Sequence, residues 1–335
     1  MKIDSNDKAI SVLLEMHKAH SLRNLLRYFD EIISYAIDSN KNILTNLLKK
    51  NLIQSLQEEV EYQQNIYNYQ KSLNQNQIFD SKYRIVLLAD SHGLPRPPFA
   101  GNIPFEKTYP YYLCFLLKSH LSSSKCPQLN ARCLRARTIK NVLEILENWH
   151  IEKDSGVNFL IVQVGITECT PRIFKSYEDQ TCISNLHNTD LGRMINEVMI
   201  KHKRQLIHYH PDRTWIPFAH FKKSIDQLVL LAEKKLFSSI IFINIIEPSD
   251  GQEYRNPGFK QNVRKYNTIF KNAAIKNDWI HLIDLNKIIW NNGGPYNLTI
   301  DGHHLTVKGN QLLVQELEAL VMYKIILNEN KYNLF

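Results

Sequence analysis

No glycine or proline precedes Gly93 in this chain, so its first quarter lacks the two residues that most strongly interrupt regular structure. Apolar residues recur in this part at three- and four-residue spacing, which is typical of amphipathic helices. Residues 63–77 are rich in Asn, Gln and Tyr, as expected for an exposed linker or a polar helix end. We therefore predict a helical N-terminal domain and polar linker over residues 1–80.

Long hydrophobic runs and cysteine motifs are also missing. No stretch of roughly 18 uninterrupted apolar residues is present, which argues against a membrane-spanning helix. The residues after Met1 are partly acidic and contain no apolar signal core, which argues against a cleaved secretory signal. The five cysteines have no C-x-x-C spacing, so we expect reduced thiols. These absences predict a cytoplasmic protein, with peripheral contact to a membrane left open.

Signatures of nucleotide and nucleic-acid binding are absent as well. The chain has no glycine-rich phosphate loop and no helix-turn-helix, zinc or RNA-binding signature, so we expect neither a nucleotide cofactor nor a nucleic-acid partner. Lys and Arg (41) exceed Asp and Glu (33), giving a formal net charge of +8. This balance favours anionic partners, or only a basic, well-solvated surface.

From Lys82 onwards, short apolar runs alternate with stretches of helical periodicity. The runs predict strands at residues 83–88, 159–164, 240–246 and 279–284, and the helical stretches are 137–150, 217–237, 258–276 and 306–327. This alternation predicts a parallel sheet with helices on both faces, in one domain over residues 81–335. Functional groups of such sheets gather beyond the carboxyl ends of the strands. Ser91, Gly165 and Glu247 each follow a predicted strand and are expected at that edge.

Two short motifs, far apart in sequence, supply the parts of a serine hydrolase. Ala-Asp-Ser-His-Gly at residues 89–93 closes the first predicted strand, and Asp-Gly-His-His at residues 301–304 lies near the C-terminus. A serine hydroxyl is a poor nucleophile unless an imidazole accepts its proton and a third group fixes the imidazole tautomer. Asp90 is expected to accept backbone hydrogen bonds in the nucleophile turn. His92 is expected to line the cleft or to face solvent.

These residues resemble the SGNH hydrolases, also called GDSL-like esterases and lipases, over roughly residues 82–325. The resemblance implies a flavodoxin-like, three-layer α/β/α sandwich with a parallel sheet. The Gly-Asp-Ser of the family is Ala-Asp-Ser here, and the Asp-x-x-His of the family fits residues 301–304. By this resemblance Ser91 is the nucleophile, His304 the general base and Asp301 the residue that orients it. The Ser91 N–H is then one donor of the oxyanion hole, and no metal or other cofactor is implied.

Two further blocks depart from the family pattern. The third block of the family reads Gly-x-Asn-Asp, and its Asn donates to the oxyanion. Here Gly165 and Thr167 belong to Gly-Ile-Thr-Glu, so the Asn is missing, and the Thr167 hydroxyl or Arg172 is the candidate replacement. The glycine of the second block corresponds to Ala136, whose N–H survives provided that the backbone does not require a positive φ. One lost donor typically costs about 100- to 1000-fold in rate, so we expect a compensating group or slow catalysis.

Residues 169–172, Cys-Thr-Pro-Arg, resemble a branch of SGNH-like proteins found with enzymes of polysaccharide biosynthesis. This branch implies an esterase that acts on an acylated, anionic sugar or polysaccharide precursor through an acyl-serine intermediate. Two alternatives remain open. One is a sugar O-acyltransferase or amide-forming acyltransferase that uses the same serine, and the other is a non-catalytic carbohydrate-binding or scaffold protein.

A basic segment, residues 175–222, is predicted to form a helical insertion or lid beside the site. Its His208 and His210 have the spacing of a metal pair, but no further ligand pattern completes a site, so no metal is expected. The segment either attracts an anionic substrate or is a solvated helical hairpin. The apolar stripes of residues 1–80 exceed what so small a unit can bury, which predicts a homodimer or docking to a biosynthetic complex.

Overall fold

The computed structural model describes residues 22–73, 82–122, 125–149, 157–210 and 212–332. Its centre is a five-stranded sheet, all of whose neighbouring strands are parallel, in the order β2-β1-β3-β4-β5. The strands are β1 (Tyr83–Ala89), β2 (Gln128–Cys133), β3 (Val157–Gln163), β4 (Ser239–Ile243) and β5 (Ile280–Ile283). Every residue of β3 is buried, as expected for a central strand covered on both faces.

Helices precede the sheet and cover both of its faces. Those before the sheet are α1 (Leu22–Ser39) and α2 (Lys41–Leu73). The others are α3 (Tyr109–His120), α4 (Ile139–Glu147), α5 (Ile166–Cys169), α6 (Tyr177–Asn185), α7 (Asp190–Tyr209), α8 (Phe218–Lys234), α9 (Asp250–Arg255), α10 (Phe259–Lys276), α11 (Leu285–Asn291), α12 (Pro295–Leu298) and α13 (Val307–Tyr332). No helix in these described ranges is long and apolar enough to cross a membrane.

Alternate residues of β1 belong to two different cores, which makes the three layers. Ile85 and Leu87 pack with α3, α11 and α13 on one face of the sheet. Val86 and Leu88 pack with α4, α8 and α10 on the other. The predicted three-layer α/β/α sandwich with a parallel sheet, preceded by a helical N-terminal region, is therefore confirmed. Each of the four predicted strands and the four predicted helical stretches is present, with end points that differ by a few residues.

The edge strand β2 is the element that the sequence did not predict. Only its alternate residues are fully buried, so it has no continuous apolar run. Helix α2 covers its free edge: the Gln70 side-chain amide donates to the Leu129 carbonyl (2.7 Å) and accepts from the Leu129 N–H (2.8 Å). Gln70 thereby makes the pair of backbone-like bonds that a sixth strand would make at this position. The Asn- and Gln-rich stretch is a helix end as far as Leu73, and its remainder lies outside the described residues.

A third buried cluster joins α1 to the basic segment. Phe29, Ile32 and Ile33 of α1 pack against apolar residues of α6 and α7. Arg213, which follows α7, donates to both carboxylate oxygens of Asp30 at 2.9 Å. Within residues 175–222, the segment predicted as a helical insertion or lid, α6 and α7 are the main helices, and α1 packs against them.

Candidate active site

The nucleophile turn follows β1 directly. The Asp90 N–H still donates to the Gln163 carbonyl of β3 (3.0 Å), and residues Ser91–Gly93 then form a single 3₁₀ turn. Asp90 caps this turn, because its Oδ1 accepts the His92 N–H at 2.9 Å. A Cβ on Gly93 would lie 2.5 Å from Cys133 Sγ, so only glycine lets the turn pack this closely on β2. The predicted structural role of Asp90 agrees with these bonds.

The second motif forms a loop between α12 and α13. Gly302 has a φ of +97°, and a Cβ there would lie 2.3 Å from Ser249 Oγ. The Ser249 N–H donates to the Gly302 carbonyl (3.0 Å), and the Gln252 side chain donates to the Asp301 carbonyl (2.6 Å). The start of α9 therefore holds the loop that carries Asp301 and His304.

The structure brings Ser91, His304 and Asp301 together. Ser91 Oγ lies 2.9 Å from His304 Nε2, and His304 Nδ1 lies 2.7 Å from Asp301 Oδ2. The other carboxylate oxygen, Asp301 Oδ1, accepts the backbone N–H of His304 at 3.0 Å. A carboxylate so placed fixes a proton on Nδ1 and leaves the Nε2 lone pair for the serine proton. The arrangement has the hydrogen bonds of a nucleophile, a general base and an orienting acid.

The protonation states suit that arrangement. Burial lowers the pKa of His304, as do the nearby charges of His92 and Arg96, and the bond to Asp301 only partly offsets this. His304 is therefore neutral near pH 7 and can accept a proton. Burial raises the pKa of Asp301, but the hydrogen bond from His304 and the neighbouring imidazoles outweigh it, so that this pKa lies far below its ordinary value.

A second His–Asp pair lies beneath the first. His92 is buried, so the expectation that it faces solvent is wrong, and its ring centroid is 5.1 Å from that of His304. Its Nδ1 lies 2.7 Å from Asp90 Oδ1, and its Nε2 lies 3.1 Å from the His303 carbonyl oxygen. Because both acceptors lack hydrogen, both ring nitrogens must donate, which requires an imidazolium ion. Burial lowers the pKa of His92, but the charge and hydrogen bond of Asp90 outweigh it, and the pKa is raised.

Ala136 lies in a turn beside the nucleophile. The Leu134 N–H donates to the Ala89 carbonyl at the end of β1 (3.1 Å), and the Arg137 N–H closes the turn on Leu134 (3.2 Å). Ala136 has a φ of +54°, so the condition set in the sequence analysis, that the backbone not require a positive φ, is not met. The N–H group is present, but in a left-handed conformation that is strained for alanine. That conformation costs a non-glycine residue roughly 1 kcal/mol. Among the described residues, neither the Ala136 N–H nor the Ser91 N–H has an acceptor.

The block-three residues surround the end of β3. Gly165 has a φ of +122°, and a Cβ there would lie 2.6 Å from Ile245 Cδ1. Thr167 is buried, and its carbonyl accepts from Arg172 Nη2 at 3.4 Å. The Arg172 guanidinium stacks over Trp215, with its central carbon 3.9 Å from the ring centroid. In the described chain neither Thr167 nor Arg172 is hydrogen-bonded to the three residues of the Ser91 site.

Glu168 is a buried residue that the sequence reasoning did not select. Its Oε1 accepts the Ile139 N–H at 2.6 Å, which joins the block-three turn to the start of α4. No described residue bonds to its Oε2. Burial raises the pKa of Glu168 to about 8, so this carboxyl is largely protonated at neutral pH. Its place as the last residue of the Gly-Ile-Thr-Glu block, five residues after the end of β3, was the one signal for it.

Asp301, His303 and His304 are the one group in the described ranges whose ligand atoms could hold a metal ion, all within 4.8 Å of one another. Two of these three residues are already bonded to each other, and His304 also bonds to Ser91. A metal ion here would displace the bond between Asp301 and His304. His208 and His210 do not form such a group.

Comparison with known proteins finds similarity among solved structures. A variant of an acetylxylan esterase from Geobacillus stearothermophilus is 13% identical, with a TM-score of 0.46, over 72% of this chain and 94% of that one. A carbohydrate acetylesterase family member from Sinorhizobium meliloti is 14% identical, with a TM-score of 0.43, over 72% and 99%. A G-D-S-L family lipolytic protein from Veillonella parvula is 13% identical, with a TM-score of 0.42, over 71% and 96%. No family model and no curated protein sequence matches the chain.

Proposed function

We propose that the protein is a serine esterase that cleaves acylated carbohydrates through an acyl-Ser91 intermediate. The observation that carries this proposal is the unbroken chain of bonds from Ser91 Oγ to His304 (2.9 Å) and from His304 to Asp301 (2.7 Å). A lone exposed serine lacks such a chain and is not nucleophilic.

The proposed reaction has two steps. Ser91 Oγ attacks the ester carbonyl while His304 Nε2 takes the hydroxyl proton. His304 then gives this proton to the leaving alkoxide as the carbon–oxygen bond breaks. Water attacks the acyl-serine in the second step, again losing its proton to His304, and the acid leaves as Ser91 regains its proton. Asp301 remains ionised throughout and holds the imidazolium that forms in each step.

The developing oxyanion is proposed to bind the N–H groups of Ser91 and Ala136. Both have no acceptor among the described residues, and the turns that carry them are joined through the bond from Leu134 to Ala89. The missing block-three Asn leaves two donors in place of three, and Thr167 and Arg172 bond to each other rather than to the site. Loss of one oxyanion donor typically lowers the catalytic rate about 100- to 1000-fold, so we expect a modest kcat.

We further propose that the substrate is anionic. Lys203 of α7 has a pKa lowered by burial and by the charges of Arg255 and Arg172, so these three cations share one region. Arg255 ends α9, the helix whose start holds the Asp301–His304 loop. A cluster of cations beside a catalytic loop raises the local concentration of an anionic substrate. Lys203→Gln and Arg255→Gln should raise KM for an acetylated uronic acid more than for its neutral analogue, and equal changes would contradict anion recognition.

The decisive experiment is labelling with a fluorophosphonate probe, followed by mapping of the modified peptide. Labelling at Ser91 in the wild type, lost in Ser91→Ala and in His304→Ala, supports an activated nucleophile. Folded wild type that resists labelling contradicts the proposal and favours the non-catalytic carbohydrate-binding or scaffold role. Product analysis with an added sugar acceptor then separates hydrolysis from acyl transfer, because a transferase forms more acylated acceptor than free acid.

Self-association through the N-terminal helices is proposed on a separate observation. One face of α2 exposes large apolar side chains at spacings of three, four and seven residues: Leu52, Ile53, Leu56, Val60 and Tyr67. Exposed apolar stripes of this kind mark protein–protein contacts. Leu56→Glu with Val60→Glu should reduce the oligomeric state measured by light scattering. A monomeric wild type would exclude a homodimer.

A further inference from the structure

Helix α2 lies outside the part of the chain that resembles the SGNH family, yet it bonds to both turns of the candidate oxyanion hole. Tyr62 Oη donates to the carbonyl of Gly93, the last residue of the nucleophile turn, at 2.9 Å. Glu59 accepts a hydrogen bond from Arg137, the residue directly after Ala136. One turn of a single helix therefore contacts the two backbone segments that carry the proposed oxyanion donors.

The Glu59–Arg137 pair is buried. The Arg137 side chain is completely inaccessible to solvent, and that of Glu59 is 9% exposed. The guanidinium has two further nitrogen atoms, Nε and Nη1, with no hydrogen-bond partner among the described residues. A buried cation whose partner is removed is strongly destabilised. The position of Arg137, and of the backbone that enters it from Ala136, consequently depends on Glu59.

Ala136 needs such a restraint because its own conformation is unfavourable. A φ of +54° is disfavoured for alanine, so the residue holds this conformation only where its surroundings impose it. Arg137 is anchored on one side by Glu59. Further along, the Ile139 N–H is held by Glu168 (2.6 Å). The Ala136 N–H is thus aimed by contacts on the chain that follows it.

Tyr62 restrains the turn that begins at Ser91, as Glu59 restrains the backbone next to Ala136. Tyr62 is 4% exposed, and its ring packs edge-to-face on Phe105 with the ring centroids 5.4 Å apart. Its hydroxyl donates to the Gly93 carbonyl and also lies 3.4 Å from Thr108 Oγ1. The ring is therefore fixed, and its hydroxyl holds the far end of the 3₁₀ turn that begins at Ser91. The direction of the Ser91 N–H follows from the orientation of that short turn.

We propose that α2 is a positioning element of the active site, in which Glu59 and Tyr62 aim the Ala136 and Ser91 N–H groups at the oxyanion. This inference rests on the proposed function, because those two N–H groups are its oxyanion donors. A misplacement of about 1 Å can cost on the order of 100-fold in rate. A site that lacks the third donor depends on the placement of the remaining two.

The test compares Glu59→Gln and Tyr62→Phe with Glu61→Gln, an exposed carboxylate on the same helix. We expect kcat for ester hydrolysis to fall roughly 10- to 100-fold in the first two variants, with KM within twofold. Affinity for a trifluoromethyl ketone, whose adduct with Ser91 carries an oxyanion, should fall by a similar factor. Glu61→Gln should leave all three quantities unchanged. Unchanged kcat and ketone affinity in folded Tyr62→Phe and Glu59→Gln would overturn the proposal.

A double variant separates positioning from stability. Glu59→Gln with Arg137→Met removes both buried charges and should recover the melting temperature lost in Glu59→Gln alone. The kcat of this double variant should stay low, since the hydrogen bond between residues 59 and 137 is still missing. Full recovery of kcat along with stability would assign α2 a structural role and overturn the proposal.

Hydrogen exchange keeps the inference testable should the esterase activity itself fail. Amides of residues 90–94 and 134–138 should exchange faster in Glu59→Gln and Tyr62→Phe than in wild type at equal global stability. Unchanged exchange would sink the positioning role, whatever the reaction. Wild type that is inactive and unlabelled, by contrast, would refute only the esterase.

Discussion

Two His–Asp pairs lie side by side in this protein, with ring centroids 5.1 Å apart, and they have opposite protonation behaviour. His304 bonds to Asp301 and presents its other nitrogen to the Ser91 hydroxyl. His92 bonds to Asp90 and presents its other nitrogen to a carbonyl oxygen. A hydroxyl can donate to a neutral imidazole, whereas a carbonyl requires a donor. The second partner therefore decides which histidine is a base and which is a cation.

The difference teaches that proximity of His and Asp does not define a catalytic pair. Asp301 is 44% exposed at the surface loop, whereas Asp90 is 1% exposed under the nucleophile turn. In each pair the histidine Nδ1 lies 2.7 Å from a carboxylate oxygen of the aspartate, so distance alone does not separate the two pairs. In the proposed reaction the first pair takes and returns the Ser91 proton, whereas the second pair links the Asp90 turn to the His303 backbone.

The largest effect on catalysis is expected from breaking the pair of His304 and Asp301. His304→Ala should lower kcat for ester hydrolysis by about 10⁴- to 10⁶-fold, and Asp301→Asn by about 10⁴-fold because the tautomer is no longer fixed. Asp301→Asn is isosteric at a partly exposed position, so its melting temperature should shift little, whereas His304→Ala also removes ring packing against His303. Steady-state kinetics and calorimetry measure both quantities. An equal loss in His92→Ala without any loss of stability would show that the two pairs have been assigned the wrong way round.

Breaking the buried pair should act mainly on stability. His92→Ala leaves Asp90 as an uncompensated buried carboxylate, so the free energy of unfolding should fall by about 3–5 kcal/mol. Asp90→Asn with His92→Gln keeps polar groups without the charges and should recover most of this loss. Urea unfolding of the single and double variants checks it. Additive losses in the double variant would exclude a coupled pair.

Glu168 sharpens the comparison, because it is a buried carboxyl with no imidazole partner. Folding raises its pKa from 4.5 to about 8, so its contribution to stability is complete below pH 4.5 and is lost as the pH rises through about 8. Glu168→Gln keeps an acceptor for the Ile139 N–H and cannot ionise. The variant should therefore lose less stability than wild type between pH 6 and 8, by at most about 1.4 kcal/mol per pH unit. Parallel pH profiles of urea unfolding would contradict a protonated Glu168.

The smallest expected effect is a shift of the pH profile. The cationic His92 lowers the pKa of His304, which must be neutral to accept the serine proton. Activity should therefore decline only as the pH falls through a value below 6.5. The Asp90→Asn, His92→Gln double variant removes the repulsion, so the acid limb of kcat/KM should move to higher pH. A limb that stays in place would show that burial alone sets the pKa of His304.

The sequence predicted four of the five strands and selected Ser91, His304 and Asp301, which the structure brings together, since continuous buried strands and short motifs are local patterns. It did not indicate β2, which is short and has no continuous apolar run, or that Gln70 would cover its edge. The bonds of His92 to Asp90 and to the His303 backbone were not predicted for a related reason. The burial of His92 depends on the His303 carbonyl, a group that the chain supplies more than 200 residues later.

The bonds between Gln70 and Leu129 also have a consequence for handling the protein. A fragment that starts at Lys82 would leave β2 as an open edge with unsatisfied peptide groups, a template on which other chains can stack into cross-β aggregates. Expression of this fragment alone should therefore give inclusion bodies. The smallest soluble piece of this chain is expected to begin before Lys41, where α2 starts.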